Sequence, residues 1–187
     1  MSETLLNQEL STQALCGLVA DFLCKRQWLL ATAESCTGGM IAAACTDLAG
    51  SSNWFERGFV TYSNAAKTEL LAVDASLIDQ FGAVSEPVAR AMAAGALAHS
   101  HAQVAIAVTG VAGPGGGSPE KPIGTVWFGW ATPAGVTSEV RHFDGDRAAV
   151  RQATVQHALT RLLSLIELPE DKAKPLHPTL HPIDPLI

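Results

Sequence analysis

Positive charge is scarce in this chain: 12 Lys and Arg stand against 18 Asp and Glu, a net charge of −6. That balance disfavours a nucleic-acid partner held by backbone neutralisation, while leaving room for a small anion held by local N–H groups and one or two cations. No apolar run approaches the length of a membrane span, and Met1-Ser2-Glu3-Thr4 lacks a secretory profile. The expectation is therefore a cytoplasmic protein with no membrane partner. Cys16, Cys24, Cys36 and Cys45 show neither CxxC nor metal-ligand spacing, so no metal is expected and the thiols read as buried rather than bridged. His99 and His101, separated by one residue, fit a helix end better than a metal site. Neither GxxxxGK[ST] nor GxGxxG occurs, which removes the nucleoside-triphosphate and dinucleotide fingerprints. Tyrosine occurs once, at position 62. No internal repeat is visible.

What is present suits one packed domain over 1–168. At 187 residues the chain can bury roughly 70% of its unfolded surface, and 48% hydrophobic residues are enough to fill the core. Ser11 is a candidate cap for a helix with the stripe Leu15, Val19, Phe22 and Leu23. A buried strand is predicted at about 28–34, then a turn and a helix ending near Gly50. Residues 58–62 read as a second strand, and Asn64 as the cap of a short helix carrying Lys67, Leu70 and Leu71. Ser85 and Pro87 open an Ala-rich helix. Val104–Val108 is a continuous apolar run that suits the centre of a parallel sheet. Strands at about 123–131 and 136–143 flank Thr132-Pro133-Ala134-Gly135 as a hairpin, and a last helix from Asp146 buries Val155, Leu159, Leu162, Leu163 and Ile166. The order predicts a three-layer α/β/α sandwich on a mixed, mostly parallel sheet of about five strands. The proline-rich tail 169–187 cannot continue the helix and is expected to be extended or disordered.

The chemistry concentrates at Glu34-Ser35-Cys36-Thr37-Gly38-Gly39, where strand passes to helix. A hydroxyl there sits beside unpaired N–H groups, and the two glycines let a substrate approach the backbone. Ser35 is either a helix cap or a nucleophile, and Thr37 can take the capping role in its place. Cys36 is a rival nucleophile, because a helix N-terminus lowers a thiol's pKa, or else a core residue. In open α/β sheets ligands gather at the carboxyl ends of strands, where Ser35, Tyr62 and Thr109 fall, with Lys67 one turn beyond Tyr62. A neutral lysine can take a hydroxyl proton, and Ser–Lys pairs are a variant of the triad logic; the separation here is far longer than a local SxxK. Tyr62 can hydrogen-bond to the pair, stack on a flat substrate, or simply fill the core edge. Glu34 needs a partner, whether Lys67, a ligand hydroxyl or a structural donor. The loop with Gly110, Gly113, Gly116 and Gly117 is either a phosphate cradle or a surface crossover. Arg147 opposes a helix dipole, which suggests a ligand-facing task or an ion pair with Asp144 or Asp146.

At these residues the chain resembles the C-terminal domain of the CinA (competence/damage-inducible protein A) family, and especially its stand-alone nicotinamide-nucleotide amidases. The matching stretches are 32–39 (Thr-Ala-Glu-Ser-Cys-Thr-Gly-Gly), 50–64, Lys67, 82–86, 109–114, 116–126 and Gly145-Asp146-Arg147, within roughly residues 10–166. The resemblance implies an α/β/α fold, no metal or cofactor, and a homodimer. It also implies hydrolysis of nicotinamide mononucleotide, a pyridine nucleotide, to nicotinate mononucleotide and ammonia. It places the nucleophile at Ser35, the lysine at Lys67 and a supporting tyrosine at Tyr62. The implied course is a Ser-Lys acyl-enzyme: Lys67 deprotonates Ser35, N–H groups around Cys36, Thr37, Gly38 and Gly39 hold the oxyanion, and the 110–125 loop with Arg147 holds the ribose phosphate. Glu34, Thr109 and Gly110 complete the expected binding set. The alternative is a non-catalytic module that senses a nucleotide or binds a protein through the same pocket.

Overall fold

The computed structural model describes residues 10–167. The expected tail 169–187 lies outside the described residues. Helix α1 (Thr12–Arg26) starts where the Ser11 hydroxyl accepts the Ala14 N–H at 3.2 Å, as the sequence suggests. Strand β1 (Leu30–Glu34), helix α2 (Met40–Thr46) and strand β2 (Phe55–Val60) follow. Then come three helices: α3 (Asn64–Leu71), α4 (Ala75–Phe81) and α5 (Glu86–Ala98). Strands β3 (Val104–Gly110), β4 (Thr125–Thr132) and β5 (Gly135–His142) precede the final helix α6 (Arg147–Ile166).

The sheet order is β2-β1-β3-β4-β5, parallel across the first three strands and antiparallel across the last three. This is the mixed five-stranded sheet of the expected three-layer sandwich. Three local expectations shift. The second strand ends at Val60, so Tyr62 stands two residues beyond it in the loop. Ser63, not Asn64, caps α3 by accepting the Ala66 N–H at 3.0 Å. Helix α4 was not expected: among its residues only Ile78 is buried, which leaves little apolar periodicity to read. Its signal is Asp74, whose carboxylate accepts the Ser76 N–H.

Alternation along the central strands sorts the two layers. Leu30, Val104, Ile106 and Val108 enter the core beneath α1, α2 and α6, together with Phe128 and Trp130. Their neighbours Ala31, Ala33, Ala105 and Ala107 point the other way, against Leu71 of α3, Ile78 of α4 and Val88 and Met92 of α5. Small side chains on that face let the Ala-rich α5 sit close. A Cβ built on Gly129 would lie 2.4 Å from the Ala89 carbonyl oxygen. A Cβ on Gly95 would lie 2.1 Å from the Leu71 carbonyl oxygen at the end of α3. In an open helix Gly→Ala gains about 1 kcal/mol. Here both contacts are backbone, so Gly95→Ala is expected to lower stability by about 1–3 kcal/mol. A reduced urea midpoint checks this; an unchanged or raised midpoint contradicts the close packing of α3 on α5.

Candidate active site

The alternation that sorts the core also assigns the last residue of β1 and the one after it. Glu34 continues the Leu30 and Thr32 face toward α2; Ser35 continues the Ala31 and Ala33 face toward α3 and α5. Both end up buried, and they do different work.

Glu34 is 1% exposed and serves the backbone. One oxygen accepts the Thr37 hydroxyl at 2.7 Å and the N–H groups of Gly39 and Ile41 at 3.1 and 3.0 Å; the other accepts Ala42 N–H at 2.8 Å. Of the partners the sequence left open, it takes the structural ones and reaches neither Lys67 nor the cavity. Thr37 accordingly donates to Glu34 instead of capping α2 itself. The glycines at 38 and 39 adopt positive φ, +61° and +100°, which makes this tight turn accessible without strain.

Ser35 meets Lys67. Lys67 lies on the inward face of α3, one turn before the buried Leu71, and is 1% exposed. Its Nζ stands 3.1 Å from Ser35 Oγ, 2.8 Å from the Thr61 carbonyl oxygen and 3.4 Å from that of Tyr62. No carboxylate is among these partners. Burial holds the Lys67 amine below the ordinary lysine pKa; an ionised Cys36 would oppose this. Burial, however, pushes the Cys36 thiol up to about 11, so near neutrality it supplies no anion. A charged amine would donate to all three oxygens; a neutral one would donate to the two carbonyls and turn its lone pair to the serine hydroxyl.

A cavity of about 230 Å³ opens over this pair, lined by Ser35, Cys36, Tyr62, Asn64, Lys67, Ala83, Val84, Thr109, Gly110, Ala112 and Arg147. Thr109 is buried and donates its hydroxyl to the Ala83 carbonyl at 2.8 Å. Gly110 has no room for a side chain, since a Cβ would lie 2.8 Å from the Thr125 carbonyl oxygen. Arg147 donates to the Gly113 carbonyl at 2.8 Å and to the Tyr62 hydroxyl at 3.2 Å, which ties the glycine loop and the tyrosine to the start of α6. Those are its contacts here, rather than Asp144 or Asp146. Asp146 instead caps α6 by accepting Ala149 N–H. Among the expected site residues, Glu34, Thr37, Gly38, Gly39, Gly113, Gly116 and Gly117 do not line the cavity.

Asn64, Ala83, Val84 and Ala112 line it without having been anticipated. Asn64 was read as a cap, and Ser63 takes that role. A second omission is Arg151 on α6, which donates to the carbonyls of Cys36 and Thr37 at 3.1 and 2.8 Å. No local pattern links residues 115 positions apart.

Following every N–H of the turn narrows where an oxyanion can be held. Gly38 N–H goes to the Ser35 carbonyl at 3.1 Å, Met40 N–H to the Thr37 carbonyl at 3.4 Å, and those of Gly39, Ile41 and Ala42 go to Glu34. The N–H groups of Cys36 and Thr37 have no oxygen acceptor among the described residues; the Cys36 sulfur is their neighbour. They lie directly after the serine.

The model of the CinA C-terminal domain matches residues 12–166. This chain belongs to that family. It is 54% identical over 169 residues to a protein of Enterobacter agglomerans named nicotinamide-nucleotide amidohydrolase PncC, covering 89% of this chain and 99% of that one. It is 60% identical over 134 residues to the protein of the same name from Pseudomonas putida, covering 72% and 84%. Among solved structures it superposes with TM-score 0.80 on the competence/damage inducible protein CihA of Agrobacterium tumefaciens, at 46% identity over 82% of this chain and 94% of that one.

The thiols give a direct check on the local electrostatics. Near pH 8 a thiol with a pKa of about 11 is ionised to roughly one part in a thousand. Iodoacetamide should therefore label the exposed Cys24 first and leave Cys36 unmodified in the folded protein. Peptide mapping that finds Cys36 labelled as fast as Cys24 contradicts this description of the pocket.

Proposed function

We propose that this chain hydrolyses the carboxamide of nicotinamide mononucleotide to nicotinate mononucleotide and ammonia. The observation that carries the reading is the contact of Lys67 Nζ with Ser35 Oγ at 3.1 Å, buried at the floor of an open cavity. Relatives named for this activity, 54–60% identical, support the substrate.

The Ser35–Lys67 contact supports an acyl-enzyme course. Neutral Lys67 accepts the Ser35 proton as Oγ bonds to the carboxamide carbon, and the carbonyl electron pair moves onto oxygen. Cys36 and Thr37 N–H groups receive that oxyanion; removing one such donor costs roughly 3–4 kcal/mol in comparable sites. Collapse of the tetrahedral intermediate breaks the C–N bond, and the protonated Lys67 returns its proton to the departing ammonia. Water, deprotonated by the same amine, then releases the acyl group. Arg147 retains N–H groups beyond those bound to Gly113 and Tyr62, and with the glycine loop it receives the ribose phosphate. Binding at that remote group positions the amide over Ser35. The lone tyrosine stands beside the mouth, where its ring can cover the pyridine. A cytoplasmic homodimer that needs neither metal nor cofactor belongs to the same reading and rests on the family resemblance.

Purified protein mixed with nicotinamide mononucleotide should release ammonia, and Ser35→Ala or Lys67→Ala should reduce kcat by about 10²–10⁴-fold. Wild type that binds the nucleotide but releases no ammonia would make the domain a sensing module instead. Cys36→Ser should retain turnover, whereas its loss together with an active Ser35→Ala would transfer the chemistry to the thiol. The pH dependence has a fixed sign. Only the unprotonated amine accepts a proton, so kcat/KM should rise with pH, and its midpoint should lie below that of an ordinary lysine. A profile that falls as pH rises through this range contradicts Lys67 as the base.

A further inference from the structure

Two peptide planes decide where the N–H groups of Cys36 and Thr37 point, which have the Cys36 sulfur beside them but no oxygen acceptor. In a trans peptide the C=O and N–H of one unit point in opposite directions, so holding the oxygen aims the hydrogen. The unit carrying Cys36 N–H has the Ser35 carbonyl as its oxygen, and Gly38 N–H holds that oxygen at 3.1 Å. The unit carrying Thr37 N–H has the Cys36 carbonyl as its oxygen, and no backbone donor reaches it. Arg151 does: Nε donates to it at 3.1 Å, while Nη2 donates to the next carbonyl, that of Thr37, at 2.8 Å.

We infer that Arg151 is the positioning residue for the oxyanion site, fixing the Thr37 N–H from behind through the Cys36 carbonyl. The inference rests on the amidase reading and adds to it a residue that touches neither the substrate nor the cavity wall. The fork of the guanidinium suits two successive carbonyls in a way a single ammonium does not. A cationic donor on the carbonyl also polarises the unit, which makes its N–H a stronger donor toward a developing anion. The other donors of the turn cannot substitute, because Glu34 and the carbonyls of Ser35 and Thr37 already hold them. Helix α6 thus serves the site twice, one turn apart: Arg147 at the mouth and Arg151 behind the nucleophile turn.

The test separates a transition-state effect from a general loss of structure. Arg151→Gln and Arg151→Lys are compared with wild type in turnover of nicotinamide mononucleotide, in affinity for the product nicotinate mononucleotide, and in affinity for the 3-formyl analogue of the substrate. The aldehyde accepts Ser35 Oγ at its carbonyl carbon, and its oxygen becomes an oxyanion in the same place, with no leaving group. Arg151→Gln should lower kcat by about 10–100-fold and weaken the aldehyde by a similar factor, with product affinity within about twofold of wild type. Arg151→Lys, which keeps one donor direction, should fall between them. Should the Gln variant melt below the assay temperature, the Lys variant carries the same split between aldehyde and product. Equal weakening of aldehyde and product, or kcat unchanged in both variants, would overturn the role of Arg151. A wild type that neither turns over substrate nor binds the aldehyde would overturn the amidase reading, and this inference with it.

Discussion

A lysine side chain taken out of water without a carboxylate beside it is pushed below its ordinary pKa, and most of the site is arranged around that burial. Lys67 is buried against two backbone carbonyls and one serine hydroxyl. Charged, it would donate to all three and carry an unneutralised cation in a low-dielectric interior. Neutral, it donates to the carbonyls and presents its lone pair to Ser35. The Cys36 thiol, the nearest group that could supply a compensating anion, is itself pushed up by burial to about 11. On the proposed reading, the pocket holds a base next to a nucleophile without a histidine between them.

The fold separates the tasks by strand alternation. Adjacent residues at the end of β1 point to opposite layers: Glu34 binds the N–H groups opening α2, and Ser35 faces α3. Because the carboxylate occupies the start of α2, the helix end itself is not the anion site. The donors without an oxygen acceptor are one step earlier, at Cys36 and Thr37, next to Ser35. The alanine face of β1 and β3, and the glycines at 95 and 129, bring α5 and the end of α3 close to the sheet. Lys67 sits one turn before the contact of Leu71 with Gly95, so dense packing of small residues also sets the depth of the amine.

Much of this was legible in the chain because its signals are local. Ser11, Asp146 and the Pro133-Ala134 hairpin show their chemistry within four residues. The run 104–108 announces a central strand by its lack of polar residues. Strand β2 was placed three residues late because it is an edge strand: Glu56 and Arg57 lie at or near the surface, and no alternation marks its start. The convergence of Ser35, Lys67, Tyr62, Thr109, Gly110 and Arg147 on one cavity followed from strand ends and from the family resemblance together. What stayed hidden is non-local or competitive. Asn64 and Ser63 are both good caps, and only the structure decides between them. Arg151 reads as an ordinary helix arginine, since its carbonyl partners belong to a turn on a distant strand.

Burial in the folded protein lowers the pKa of Lys67, and the proposed chemistry depends on it. Titration of the intact protein with ¹³C-labelled lysine side chains, followed by NMR and assigned through Lys67→Ala, measures this directly. The account requires the Lys67 resonance to titrate below the ordinary lysine range. A Lys67 that keeps its proton through that range, with Ser35 still in contact, would contradict it.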